Sequence, residues 1–267
     1  MQARSSGVLT ITGRAFAVAL RHLDVLVPLA LLVAVPATAL TEGATSLFMQ
    51  FGRSWLPAHG IIPDPQTGPI LAMALAEVVV LPWLCAAGAL VAAATIGTFM
   101  LHQQGRPCSL GDALSYGFAH WRRLIGPYTA AALIIWVGSI VIVPGVLYTL
   151  LYAFVAPVAV LDSGVRDVLR RSTKLTRGRR GRIFRTYMLF VPWWGWYATV
   201  GALLLEGQHW AIRYLCAVGD ELVGFAIGFA LLQLYLERME QLAEALASKG
   251  SEPSGGLKAA AVETILV

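Results

Sequence analysis

Charge is scarce in this chain. Only 13% of its 267 residues are Asp, Glu, Lys or Arg, while 57% are hydrophobic. A soluble domain averages about 25% charged residues. The deficit argues against an ordinary water-soluble globule and points to lipid as the solvent. Cysteine is sparse too: Cys85, Cys108 and Cys216 form no CxxC pair. That argues against a disulfide framework and leaves zinc unsupported. Asn is absent, and Lys174, Lys249 and Lys258 are the only lysines against 17 Arg. A GC-rich bacterial genome is the plain reason for that bias. No catalytic or metal motif occurs, and nothing calls for a cofactor. His22, His59, His102, His120 and His209 are scattered; His102 and His120 can meet on one side of a bundle, with no Cys or carboxylate set beside them.

What is present is a series of long apolar segments. At ~20 residues per span, the length suits a bundle of six transmembrane helices. The first runs from about Leu23 to Leu40. A signal peptide would also begin this way, with Ala37-Thr38-Ala39 as its cleavage site. The amphipathic stretch ahead of it favours a retained span. Residues 42–69, rich in Pro and Gly, read as the largest outer loop. The second segment, Ile70 to Leu101, exceeds a ~30 Å hydrocarbon core at ~1.5 Å per residue. It must tilt, kink at Pro82 or protrude. The third starts near Leu124 and turns at Pro144-Gly145, and the fourth ends near Leu161. The fifth covers about Thr186 to Leu205. The sixth runs from about Glu221 to Leu236 and continues as a charged helix, Glu237 to Ala247.

The basic residues test this layout. Of 20, only Arg53 and Arg213 fall outside; the other 18 lie on one side. Basic residues mark cytoplasmic loops, so both termini are expected inside. Outside, six carboxylates against two Arg give −4; inside, 18 basic residues against nine acidic give +9, and the sum is the formal +5. That net charge follows membrane topology and is no evidence for nucleic acid. The expected organisation is an amphipathic helix over 1–22, a membrane domain over 23–240 and a cytoplasmic tail over 241–267. Within the tail, 249–256 reads as a flexible linker.

Each pair of spans is preceded by a similar stretch: a short amphipathic helix, then basic residues. The stretches are Val8 to Leu20, Leu110 to Trp121 and Val165 to Thr176. The second opens with a capping-box pattern at Ser109 and Asp112. Its apolar face is Leu110, Ala113, Leu114, Phe118 and Trp121 at helical spacing. The third can be capped by Asp162 or Ser163 and stopped by Gly178. Three units of in-plane helix plus hairpin follow; the plainer alternative is that any polytopic protein has amphipathic junctions.

Residues 156–164 (Ala-Pro-Val-Ala-Val-Leu-Asp-Ser-Gly) lead into Asp167-Val168-Leu169-Arg170-Arg171-Ser172 and Lys174-Leu175-Thr176-Arg177-Gly178-Arg179-Arg180. This stretch resembles the membrane domain associated with bacterial glycerophosphodiester phosphodiesterases. The shared pattern is an apolar span, a short acidic turn, A-L-x-x-S-x-x-L-T-x-G and a basic end. Val168 stands where Ala is usual. The specific likeness covers about 30 residues. It implies a six-helix integral membrane protein without implying diesterase activity, since the family's catalytic barrel is a separate soluble domain.

The strongest local feature is the basic run. Arg166, Arg170, Lys174 and Arg177 form one stripe at spacings of four, four and three, with Arg171, Arg179, Arg180, Arg182 and Arg185 around it. Val165, Val168, Leu169, Ser172 and Leu175 form the opposite face. Such a helix can rest on anionic headgroups; otherwise it is a topology determinant. Arg166, Arg170, Arg171, Lys174, Arg177, Arg179 and Arg180 are the candidate headgroup residues. Trp193, Trp194 and Trp196 can line an apolar pocket where Pro192 and Gly195 loosen the fifth span, or simply fill space. Gly224-x-x-x-Gly228 allows close helix packing. Glu77, Glu206, Asp220 and Glu221, with Arg213, read as a solvated outer rim. The C-terminal Thr264-Ile265-Leu266-Val267 can dock on a partner or stay disordered.

The expected protein is all-α and polytopic, with six transmembrane helices, both ends inside and amphipathic in-plane helices on the cytoplasmic face of the bacterial inner membrane. The first functional reading is a non-catalytic membrane protein that engages anionic phospholipids and organises membrane or partner proteins, as a complex or homo-oligomer. The second is a transporter or permease subunit for a lipid or small amphiphile, favoured if spans break at Pro82 and Pro192. A membrane-embedded enzyme is third, for want of paired carboxylates at one depth.

Overall fold

The computed structural model describes residues 7–58, 67–162, 164–193 and 210–250. These residues are mostly helical, without strands. The helices are α1 (Val8–Arg21), α2 (Leu23–Ala58), α3 (Thr67–Gln103), α4 (Leu110–Ser139), α5 (Ile142–Leu151), α6 (Val155–Leu161), α7 (Val168–Thr176), α8 (Arg180–Met188) and α9 (Trp210–Gly250). Among the described residues four stretches are long and apolar enough to cross a membrane: Leu23–Phe51, Val78–Gln103, Ile142–Leu161 and Tyr214–Ala245. Leu47, Ile140, Ile142, Val143 and Leu215 are each more than 65% exposed. Apolar surface on that scale needs a cover, and lipid supplies it.

The core forms where α2, α3, α4 and α9 meet. Glycines on both α3 and α4 let the two helices come close. A Cβ on Gly97 would sit 2.6 Å from the Tyr116 ring, and one on Gly117 would sit 2.9 Å from the Leu90 carbonyl oxygen. Trp121 of α4 donates from Nε1 to the Ala86 carbonyl of α3 at 2.8 Å. Phe99 and Phe229 join α3 to α9 with ring centroids 5.4 Å apart.

Several sequence expectations are corrected. Residues 42–58 are helix rather than outer loop. Leu47, Phe48, Met49 and Phe51 keep that stretch apolar, and Glu42 is its one carboxylate. The resulting α2 is about 54 Å long at ~1.5 Å per residue. Pro82 does not break α3, which runs through it. The turn between α4 and α5 falls at Ile140 and Val141, not at Pro144-Gly145. Pro144 instead sits in the first turn of α5, where a missing N–H costs nothing. Gly145 is needed for approach, since a Cβ there would lie 2.7 Å from the Ser139 Cα.

The three amphipathic stretches have three different fates. The first is α1, which buries Ile11, Ala15, Val18 and Ala19 and packs along α9. The second is not a separate in-plane helix: α4 is continuous from Leu110 to Ser139. Its capping box is present, with Asp112 N–H donating to Ser109 Oγ at 3.2 Å and Ser109 N–H donating to Asp112 Oδ2 at 3.0 Å. The Ser109 hydroxyl, donating to the same Oδ2 at 2.7 Å, and then the Ser109 N–H hold the Asp112 carboxyl below the usual carboxylate range. Phe118 points away from its expected face and is 61% exposed. The third is α7, and its cap is Asp167, which accepts from Arg170 N–H at 2.9 Å. Asp162 is engaged elsewhere, and Ser163 lies outside the described residues. Gly178 has φ +80, a left-handed conformation that ends the segment cheaply for glycine alone. The charged continuation of the last span holds: α9 reaches Gly250. Within the expected linker only Lys249 and Gly250 are described, and both are helical; the rest of the tail lies outside the described residues.

Candidate functional site

The stretch Ile142–Leu161 is not one helix. It breaks at Tyr152–Phe154, between α5 and α6. Pro157 contributes, because it has no N–H to return to Ala153. A break in an apolar segment strands backbone groups that lipid cannot satisfy. Ser172 of α7 satisfies two of them. Its Oγ donates to the Leu151 carbonyl at 3.0 Å and accepts from Phe154 N–H at 3.3 Å. Ser172 is fully buried.

Asp162, just after α6, anchors the same junction. It accepts from the Tyr235 hydroxyl of α9 at 2.5 Å and from Arg171 Nε at 3.4 Å. Arg123 of α4 donates to the Asp162 backbone carbonyl. Three elements therefore converge on one residue. Arg171 belongs to this buried pair, with side-chain exposures of 10% for Arg171 and 12% for Asp162.

The candidate headgroup residues divide into two groups. Arg166, Arg170, Lys174 and Arg177 are all exposed; Arg170 and Lys174 lie one turn apart on α7, with Arg166 in the turn ahead of it and Arg177 at its extended C-cap. Val168, Ser172 and Leu175 are buried opposite. Arg171, Arg179 and Arg180 turn inward instead. Arg179 donates to Gln241 Oε1. Burial, and then Arg182 and Arg238, push the Arg179 guanidinium below its usual range, while Glu237 acts the other way. Arg182 contacts Glu237 at 3.2 Å, an ion pair without hydrogen-bond geometry at Oε2. Arg179 Nη1, Arg180 Nε and Arg238 Nε are buried with no hydrogen-bond partner among the described residues.

Beside the break lies a cavity of about 460 Å³. Its walls come from α3, α4, α5, α6 and α9, with Val33 of α2 and Tyr187 of α8. The lining is mostly apolar. Glu221 is its one charged residue among those described. Gly224 and Gly228 line it, and a Cβ on either would meet nothing within 4 Å. Among the described residues the glycine pair faces open space. Glu221 is likewise a wall of the cavity rather than part of a solvated rim. Trp193 is 39% exposed and is not among the lining residues. Trp194, Trp196 and Glu206 lie outside the described residues, as do the side chains of Glu77 and Arg213.

His102 meets His22, not His120: His22 Nε2 and His102 Nδ1 are 3.0 Å apart. His120 bonds instead to the Tyr116 carbonyl at 2.9 Å and stacks on the Tyr116 ring. Among the described residues no three His, Cys, Asp or Glu group as metal ligands would. The junction serine, the Asp162 anchor and the cavity were missed from sequence. A serine and a proline flanking an apolar–acidic boundary were the available signal.

Comparison of the chain with family models, with curated proteins and with solved structures gives no match.

Proposed function

We propose that this chain is a six-span, non-catalytic protein of the bacterial cytoplasmic membrane, both ends inside, that engages anionic lipid headgroups and organises membrane or partner proteins. Four apolar stretches support the membrane setting. Two further crossings would come from the apolar part of α4 and from the segment after α8. The resemblance to the phosphodiesterase-associated membrane domain accords with this layout. One observation carries the lipid reading: Arg166, Arg170, Lys174 and Arg177 are all exposed, while Val168, Ser172 and Leu175 of α7 are locked into the core. A rigidly held basic cluster at the end of an apolar bundle suits phosphate groups, each residue adding ~1 kcal/mol at most. The test is to purify the wild-type chain and a variant with all four residues changed to Gln. Retained phosphatidylglycerol and cardiolipin are then counted by mass spectrometry. Reduced retention supports the reading, and unchanged lipid content overturns it.

A second reading, a permease subunit for a lipid or small amphiphile, is favoured by the break at Tyr152–Phe154 beside the cavity. Broken helices with sites at the break are a recurring transporter device.

A further inference from the structure

The cavity beside the broken span is apolar but not featureless. Its polar side chains are Thr95, Thr149, Tyr128, Tyr152, Tyr187 and Glu221, and the two threonines bond within their own helices. The Thr95 hydroxyl donates to the Val91 carbonyl at 2.8 Å, and the Thr149 hydroxyl donates to the Gly145 carbonyl at 2.9 Å. Glu221 is the one charged group among the described lining residues, and its carboxylate has no hydrogen bond or ion pair among the described residues. A carboxylate facing an apolar cavity is costly unless something pairs with it. The neighbouring glycines keep that space open. Gly224 lies one helical turn from Glu221, and Gly228 one turn further, so all three share a face of α9. Leu at either glycine would have room to project into the cavity. A volume near 460 Å³ lies within the range of small-molecule pockets, which are mostly apolar with a few placed polar groups.

We propose that this cavity binds an amphiphile with an apolar chain and a protonated amine, the amine pairing with Glu221 and the chain lying along Gly224 and Gly228. The site is separate from the basic cluster of α7 and favours the opposite charge. It extends the second reading above and does not need transport to be true.

The full chain is reconstituted in phosphatidylglycerol nanodiscs, which carry no amine of their own. Three diazirine-bearing probes of equal chain length are compared: an alkylamine, an alkyl alcohol and an alkyl carboxylic acid. Crosslinked residues are mapped by mass spectrometry, with Ile142 and Val143 reporting background labelling from lipid. The amine is expected to label cavity residues saturably and in preference to the acid. Glu221→Gln should weaken amine labelling about tenfold, the size of one lost charge-assisted contact, and leave the alcohol unchanged. Gly224→Leu and Gly228→Leu should each abolish labelling by filling the space, with folding checked by gel filtration. Equal labelling by amine and acid overturns the proposal. So does labelling that survives both leucine variants. Loss of lipid retention in the α7 variant bears only on the headgroup reading, so the two can fail separately.

Discussion

The Ser172 hydroxyl donates to the Leu151 carbonyl at 3.0 Å and, through the same oxygen, takes the Phe154 N–H. One side chain from the basic helix α7 thus closes the gap between α5 and α6. The apolar hairpin and the basic junction are one mechanical unit.

Ser172→Ala leaves both backbone groups buried without partners. The expected cost is about 1–3 kcal/mol. A thermal melt in detergent should show it as a lower midpoint, and an unchanged midpoint would show that the bridge does not stabilise the break.

Asp162 holds α4, α7 and α9 together. Asp162→Ala removes the buried carboxylate that Arg171 and Tyr235 share, for an expected loss of about 3–5 kcal/mol. Tyr235→Phe removes one hydrogen bond and should cost about 1–3 kcal/mol. Because the residues touch, the double variant should fall short of the summed single losses. Strict additivity in a double-mutant cycle would contradict the 2.5 Å contact.

Glycines separate into two kinds. Gly97→Ala and Gly117→Ala insert a methyl 2.6 Å from Tyr116 and 2.9 Å from the Leu90 oxygen. Each should destabilise by about 1–3 kcal/mol. Gly224→Ala and Gly228→Ala meet open space and should be neutral or stabilise by up to about 1 kcal/mol, through helix propensity. The same melts decide it: equal effects at all four positions would mean that the α3–α4 contact is looser than described.

Burial, followed by the His102 ring beside it, lowers the His22 pKa below 6.5. A lowered histidine means that the unfolded chain binds the proton more readily. Stability is therefore full above about pH 6.5 and falls as pH drops through that value toward the folded pKa. His22→Gln should flatten this part of the profile. Melts between about pH 8 and pH 5 test the sign, and rising stability on acidification would reverse it. Asp112 acts in a separate window, losing its capping contribution only as pH falls below about 3.8.

Much of this was legible along the chain. The apolar runs announce helices that need lipid, Ser109 and Asp112 announce a helix start, and Gly178 announces a stop, because each depends on near neighbours in sequence. The spacing of Arg166, Arg170, Lys174 and Arg177 likewise marks four residues that the structure leaves exposed. The same pattern could not distinguish them from Arg171, whose partner Asp162 lies nine residues away and whose second-layer partner Tyr235 lies 73 residues from Asp162. The Gly224–Gly228 spacing has two opposite uses, contact or void, and only the placement of α3, α4 and α6 around α9 selects the void.

Amino-acid order alone therefore determined the apolar solvent this protein needs and its helical class, since those follow from composition and local periodicity. Tertiary structure decided where the fourth apolar stretch breaks, which arginines turn inward and that Glu221 faces a cavity. Each of these depends on a group supplied by a distant part of the chain, and no local pattern records which distant group arrives.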